Sequence, residues 1–165
     1  MKYTLLIIGG LAALAAGFVA VVKPAPLVVH NDSPSMPEGW YVRVPGKPGT
    51  GDIVVLQPPQ AAVQYSLARW GERPTETFIK PVVAEAGDHV CAQGDIVSVN
   101  GFVAAHRMAM DGHGHRLPQW HGCRDLRPGE FFTITTRIPR SFDSRYYGPV
   151  SRSEIEGVYV PLWTH

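Results

Sequence analysis

The chain of 165 residues is 45% hydrophobic and 18% charged, with a formal net charge of +1. These values exclude a disordered chain, which is poorer in apolar residues, and argue against a nucleic acid partner, which calls for a basic face against phosphates. Seventeen glycines and fifteen prolines punctuate it too often for a helical bundle and predict a single, mainly β domain, long enough to bury a core without metals or dense disulfides.

Residues 5–22 (LLIIGGLAALAAGFVAVV) carry no charge, and as an α-helix they span about 27 Å, close to the thickness of a bilayer's hydrocarbon core. Residues 1–23 therefore read as an N-terminal transmembrane helix that anchors the chain in a lipid bilayer. The competing reading is a cleaved secretory signal, with Lys2 as its basic start and Ala13-Leu14-Ala15 as the cleavage site. Cleavage there would leave an apolar stub, so the anchor is preferred, and both readings export the remainder. Lys2 and Lys23 nearly balance, so the charge rule alone sets no orientation. The GGLAALAAG stretch offers small-residue faces to a partner helix.

Residues 24–32 read as a short extended linker, because Pro24 and Pro26 bar helix, and residues 33–165 as the domain. Alternating or β-branched runs at 40–44, 52–57, 77–84, 95–99, 102–106, 130–136 and 157–162 predict seven short strands, each bounded by Gly or Pro. Seven such strands suggest a barrel or sandwich. Asn100-Gly101 between two of them predicts a hairpin, since both central residues of a type I′ turn need positive φ. Gln60–Trp70 alone looks helical, with Val63, Leu67 and Trp70 at helical spacing, a short insertion among the strands. Cys91 and Cys123 can close one disulfide in an exported domain or remain two buried thiols; the disulfide is the preferred reading. Asp111, His113, His115, His121 and Cys123 are metal-ligand types lying close together, but their spacing matches no standard zinc pattern, and no metal or other cofactor is expected.

Two places can carry chemistry. Residues 31–39 (NDSPSMPEG) form a rigid loop that presents two serines, Ser33 and Ser35, just before the first predicted strand. Lys80 lies inside an apolar strand, TFIKPVVA. A lone lysine there is commonly a snorkelling edge residue; the alternative is a desolvated base. A serine hydroxyl needs a base, and lysine serves only when neutral, so a Ser-Lys pair requires the lysine to be buried. A third polar cluster, SFDSRYYG at 141–148, precedes the last predicted strand.

The set Ser33-Pro-Ser35-Met-Pro37, Gly51-Asp52, Lys80-Pro-Val with Gly87-Asp88, and Ser141-Phe-Asp143-Ser-Arg145 resembles, in order, the boxes of type I signal peptidases. The short serine loop, residues 117–123 (LPQWHGC), the stretch SFDSRYYGPV and the ending Pro161-Leu-Trp-Thr164 resemble the conjugative-transfer branch of the TraF type, and the likeness covers nearly the whole chain, anchor included. It implies a signal-peptidase-like, β-barrel or β-rich catalytic domain. It implies Ser35 as nucleophile and Lys80 as the base that takes its proton and later delivers it to the leaving amine. Ser33, with the Ser35 backbone N–H, would make the oxyanion hole, and Ser141 would hydrogen-bond and orient the lysine. Asp143 and Arg145 match a motif pair with two readings, a structural salt bridge or a direct catalytic part for Asp143. Pro81 follows the lysine where signal peptidases usually carry Arg, which fits the conjugative branch.

The expectation is thus a single-pass protein of a bacterial inner membrane with its peptidase domain in the periplasm. Its substrate would be a membrane-inserted pilin-like precursor, and it would contact the conjugation machinery. About twelve residues separate Lys23 from Ser35, a reach of at most roughly 40 Å, so the site must stay near the bilayer. The acyl-enzyme would be resolved by water or by the substrate's own amino terminus, giving a cyclic product. The alternatives are a general type I signal peptidase and, in another class, a non-enzymatic assembly factor of the transfer apparatus. A cytosolic autoproteolytic regulator using the same dyad is disfavoured by the anchor.

Overall fold

In the computed structural model, which describes residues 25–71 and 77–165, eleven strands and two α-helices carry the described chain. The expected anchor, residues 1–23, lies outside the described residues; among the described ones no helix is long and apolar enough to cross a membrane. β1 (Val28–Asn31), β2 (Gly39–Val44), β3 (Ile53–Leu56), β4 (Phe78–Ala84), β9 (Glu130–Thr133), β10 (Val150–Ser151) and β11 (Ile155–Thr164) form one sheet in the order β1-β2-β11-β3-β4-β9-β10. β5 (His89–Gln93), β6 (Ile96–Val99), β7 (Phe102–His106) and β8 (Gly122–Asp125) form a second, ordered β7-β6-β5-β8. Every pairing between named strands is antiparallel, so the mainly β expectation holds.

The middle of the larger sheet is covered on both faces. In β3, Val54 and Leu56 enter one apolar cluster with Val82, Phe131 and Val150, while Val55 enters another with Met36, Tyr41, Ile79 and Tyr159. A strand buried on both sides reads as a continuous apolar run, which is why IVVL and FIKPVVA carry so little polarity. A third cluster joins the two sheets through Ala84 and Phe132 of the larger and Val90, Ala92 and Val97 of the smaller.

The Asn100-Gly101 hairpin forms as expected between β6 and β7, with Val99 opposite Phe102 and φ of 51° and 83° at the two turn residues. The expected helix is α1 (Gln60–Trp70), which follows Pro59 and stops at Gly71, whose left-handed backbone lets its N–H reach Leu67 O. Cys91 and Cys123 face each other across β5 and β8 and are disulfide-bonded. In the chain-entropy account that cross-link stabilises the domain by about 3–4 kcal/mol.

β1, β5, β8 and β10 were not among the expected strands. β1 falls inside the segment read as linker, where residues 28–31 pair with residues 39–42 of β2; the ordered domain therefore begins before Ser33. These segments are short, at two to five residues, and pairing with a neighbour is what makes them strands. Residues 141–148 contain a short helix, α2 (Ser144–Tyr147), capped by the Asp143 side chain.

Candidate functional site

The serine loop joins β1 to β2, and buried Asn31 organises it. Its side-chain N–H groups donate to the carbonyls of Ser33, Met36 and Pro37 at 2.8, 3.1 and 3.1 Å, and its Oδ1 accepts from Ser33 N at 3.2 Å. Tyr41 donates its hydroxyl to Pro37 O at 2.7 Å, and Thr135, from beyond β9, donates its own to Ser35 O at 2.8 Å. At the loop's exit Gly39 has φ of 136°, and a Cβ there would lie 2.2 Å from Trp163 O. Only glycine allows β2 to close so tightly on β11 immediately after the serines.

Ser35 is buried at 3% exposure. Ser33 Oγ lies 3.0 Å from Ser35 Oγ and accepts from the Ser35 N–H at 3.3 Å. From β4, where it stands opposite Val54, Lys80 brings its Nζ to 2.6 Å from Ser35 Oγ. The lysine is 5% exposed, so it is no snorkelling edge residue. Burial is the main reason its pKa falls from 10.5 to about 8; the charge of Asp143 pulls it up and that of Arg145 pushes it down. Val82 N donates to Asp52 O at 2.8 Å, so the β3–β4 ladder resumes directly after Pro81, the residue without a backbone donor.

Asp143 and Arg145 form a buried bidentate pair. Arg145 Nε donates to Asp143 Oδ1 at 2.7 Å and its Nη2 to Oδ2 at 3.0 Å, with the side chains 2% and 0% exposed. Asp143 also accepts from Thr135 N at 3.1 Å and from Arg145 N at 3.3 Å. The remaining guanidinium N–H groups donate to carbonyls of Thr135, Pro139 and His106 at 2.5, 3.0 and 3.3 Å. Asp143 is thus linked to Ser35 through Thr135, and its charge also acts on Lys80.

Ser141 departs from its expected part. It lines the same cleft as Ser35 and Lys80 and is 2% exposed, but among the described residues its Oγ has no hydrogen-bond partner. The orienting bond to the lysine is absent from this arrangement, and the hydroxyl is a buried donor and acceptor with no partner among the described residues.

The cleft holds about 1070 Å³ and is mixed in character, lined by polar Ser35, Lys80 and Ser141 and by apolar Met108, Leu117 and Phe142. Asp111 and His115 contact each other at 3.3 Å, Cys123 is held in the disulfide, and among the described residues no group of three ligand types is placed to hold a metal. Sequence reasoning missed Asn31 and Thr135 as parts of the site. Asn31 had a local signal, an Asn two residues before a Ser in a turn; Thr135 had none, since it meets Ser35 across 100 residues of chain.

The family model described as signal peptidase, peptidase S26, matches residues 1–163. The chain is 31% identical to the plasmid transfer protein TraF of Escherichia coli, over 95% of this chain and 93% of that protein. It is 31% identical to the conjugal transfer protein TraF of Agrobacterium fabrum, over 81% of each. Among solved structures it is similar to a signal peptidase I from Enterococcus faecalis, at 20% identity and a TM-score of 0.41, covering 68% of this chain and 97% of that one.

Proposed function

The chain belongs to the signal peptidase family, peptidase S26, as a member of the TraF type, and from that premise we propose that it is a membrane-anchored serine endopeptidase with a Ser35-Lys80 dyad that processes a pilin-like precursor of a conjugative transfer system. The observation that carries this reading is the 2.6 Å contact between Lys80 Nζ and Ser35 Oγ in a buried site. Once the ammonium has lost a proton, the amine accepts the Ser35 hydroxyl proton as the oxygen attacks the scissile carbonyl. The Ser35 N–H and the Ser33 hydroxyl, now engaged with each other, turn to the oxyanion. Lys80 then gives the proton to the departing amine, leaving an acyl group on Ser35. Water, or the amino terminus of the same substrate, takes that acyl group and frees the serine.

With a pKa of about 8, about one Lys80 in ten is neutral at pH 7. We expect log kcat/KM to rise with unit slope up to about pH 8 and then to flatten, since kcat/KM reports the free enzyme's base. A profile flat from pH 6 to 9 would remove Lys80 from the base's role.

Several features support the membrane setting and the periplasm. The described chain enters the larger sheet directly after residues 1–24. Beside that entry Leu27, Trp40, Leu162 and Trp163 are exposed, with Trp40 and Trp163 opposite each other on β2 and β11. Exposed tryptophans of this kind suit the headgroup region of a bilayer, and a disulfide suits an oxidising compartment. The test is co-expression of the chain, and separately of Ser35→Ala, with a candidate prepilin in membranes, followed by mass spectrometry of the intact pilin. A shortened pilin with wild type alone is the expected result, and a product lighter by one further water marks head-to-tail cyclisation. Equal pilin masses with the two forms would sink the reading, and shortening of secretory preproteins at large would move it to a general signal peptidase.

A further inference from the structure

Two segments with no part in the chemistry above meet at the cleft: α1, inserted between β3 and β4, and the loop 107–121 between β7 and β8. A side-chain pair joins them. Tyr65 of α1 donates its hydroxyl to Asp111 Oδ2 at 2.8 Å, and both residues line the cleft that holds Ser35 and Lys80. The other carboxylate oxygen organises the loop, accepting from the N–H groups of His113 and His115 at 2.8 and 2.9 Å. Tyr65 is also fixed from behind. Its ring stacks on Phe142 at 5.3 Å, Phe142 stacks on Tyr146 at 5.7 Å, and the Tyr146 hydroxyl accepts from Met108 N at 3.1 Å. Phe142 lies in the chain between Ser141 and the ion-paired Asp143.

We propose that Tyr65 is a specificity-determining residue. Its hydroxyl clasps the loop 107–121 to α1, so that Met108, Met110 and Phe142 form a wall that receives an apolar stretch of substrate polypeptide beside the scissile bond. Two observations select that occupant. The cleft, at about 1070 Å³, is far larger than one small side chain needs, so several substrate residues enter it. Met108 and Met110 line the cleft together with Phe142 and stay 38% and 49% exposed, and methionine gives an apolar, deformable surface that fits varied aliphatic side chains. Met108 N and Trp120 N tie the two ends of the loop to Tyr146, and the Tyr65 hydroxyl ties it at Asp111, so the wall is in place before substrate arrives; preorganisation of this kind appears as tighter binding.

The inference rests on Ser35 being the acylated nucleophile, and the test separates the two. The full chain, Tyr65→Phe and Ser35→Ala are compared with two phenyl esters, one of N-acetylalanine and one of a leucine- and valine-rich tetrapeptide ending in alanine. Acylation of Ser35 is followed by intact mass. Loss of the hydroxyl clasp, at the scale of one hydrogen bond, should lower the preference for the long ester over the short one about five- to tenfold. The change should lie in the concentration for half-maximal rate. An unchanged preference, or a change confined to the maximal rate, would overturn the assignment. The tetrapeptide as an unreactive amide should bind Tyr65→Phe five- to tenfold more weakly than wild type in a fluorescence titration; equal binding would overturn it too. Because that titration needs no acylation, a failure of the Ser35 reading is seen separately, as persistence of acylation in Ser35→Ala.

Discussion

Replacing Lys80 by Met is expected to lower the rate of Ser35 acylation by about 10³-fold or more while leaving a folded and more stable domain. The loss follows from removing the base that sits 2.6 Å from the Ser35 oxygen; general bases contribute about 10²- to 10⁴-fold. The gain in stability follows from the same burial that makes the lysine useful. Its pKa is about 8 in the folded domain against the ordinary lysine value of 10.5, so between those values the unfolded chain binds more protons and wild-type stability rises with pH. Below about pH 8 the full penalty applies, on the order of 3 kcal/mol. Met fills a similar volume without a charge. The variant's advantage in thermal unfolding should therefore be largest at pH 7 and shrink as pH climbs toward 10.5. Acylation at the wild-type rate would refute the dyad, and an advantage independent of pH would show that the lysine carries no desolvation penalty.

Asp143→Ala should cost about 3–5 kcal/mol, the range for removing one partner of a buried ion pair and leaving the other uncompensated. Arg145 would keep its carbonyl acceptors on Thr135, Pro139 and His106 but lose both bonds to the carboxylate. Thr135 N and the first turn of α2 would lose their acceptor as well. Since whole domains are stable by only about 5–15 kcal/mol, this variant should unfold at a much lower urea concentration. Asp143→Asn keeps a side-chain oxygen and should lose less. The pair of variants decides between the two readings of this residue: for a scaffold, activity per folded molecule in Asp143→Asn stays within a few-fold of wild type. A folded Asp143→Asn protein with acylation lost would make the carboxylate a direct participant.

The parts of the site legible in the sequence are those whose chemistry is stated by residue type in a narrow context. Ser33 and Ser35 on either side of Pro34, a lysine in an apolar strand, and an Asp-x-Arg after a serine are each weak alone, and it is their order along the chain, matching the boxes of a known family, that made them legible before any contact is known. The Asn100-Gly101 hairpin and the helix ending at Gly71 were legible for a related reason, because their signals are local backbone preferences. The structure differs where a residue's state depends on what lies across from it. Val28–Asn31 is a strand because β2 pairs with it, and Ser141, expected to hold the lysine, has no hydrogen-bond partner among the described residues.

By itself the sequence determined the chemical groups, their order and the mainly β class, since strand periodicity and turn residues are short-range properties of the chain. Only the tertiary structure decided which groups act together. Ser35 and Lys80 are 45 residues apart, and Ser35 and Thr135 are 100 apart; nothing in either neighbourhood encodes those meetings. The depressed lysine pKa is likewise a property of the assembled layers, because desolvation exists only once the strands around β4 have closed over the ammonium.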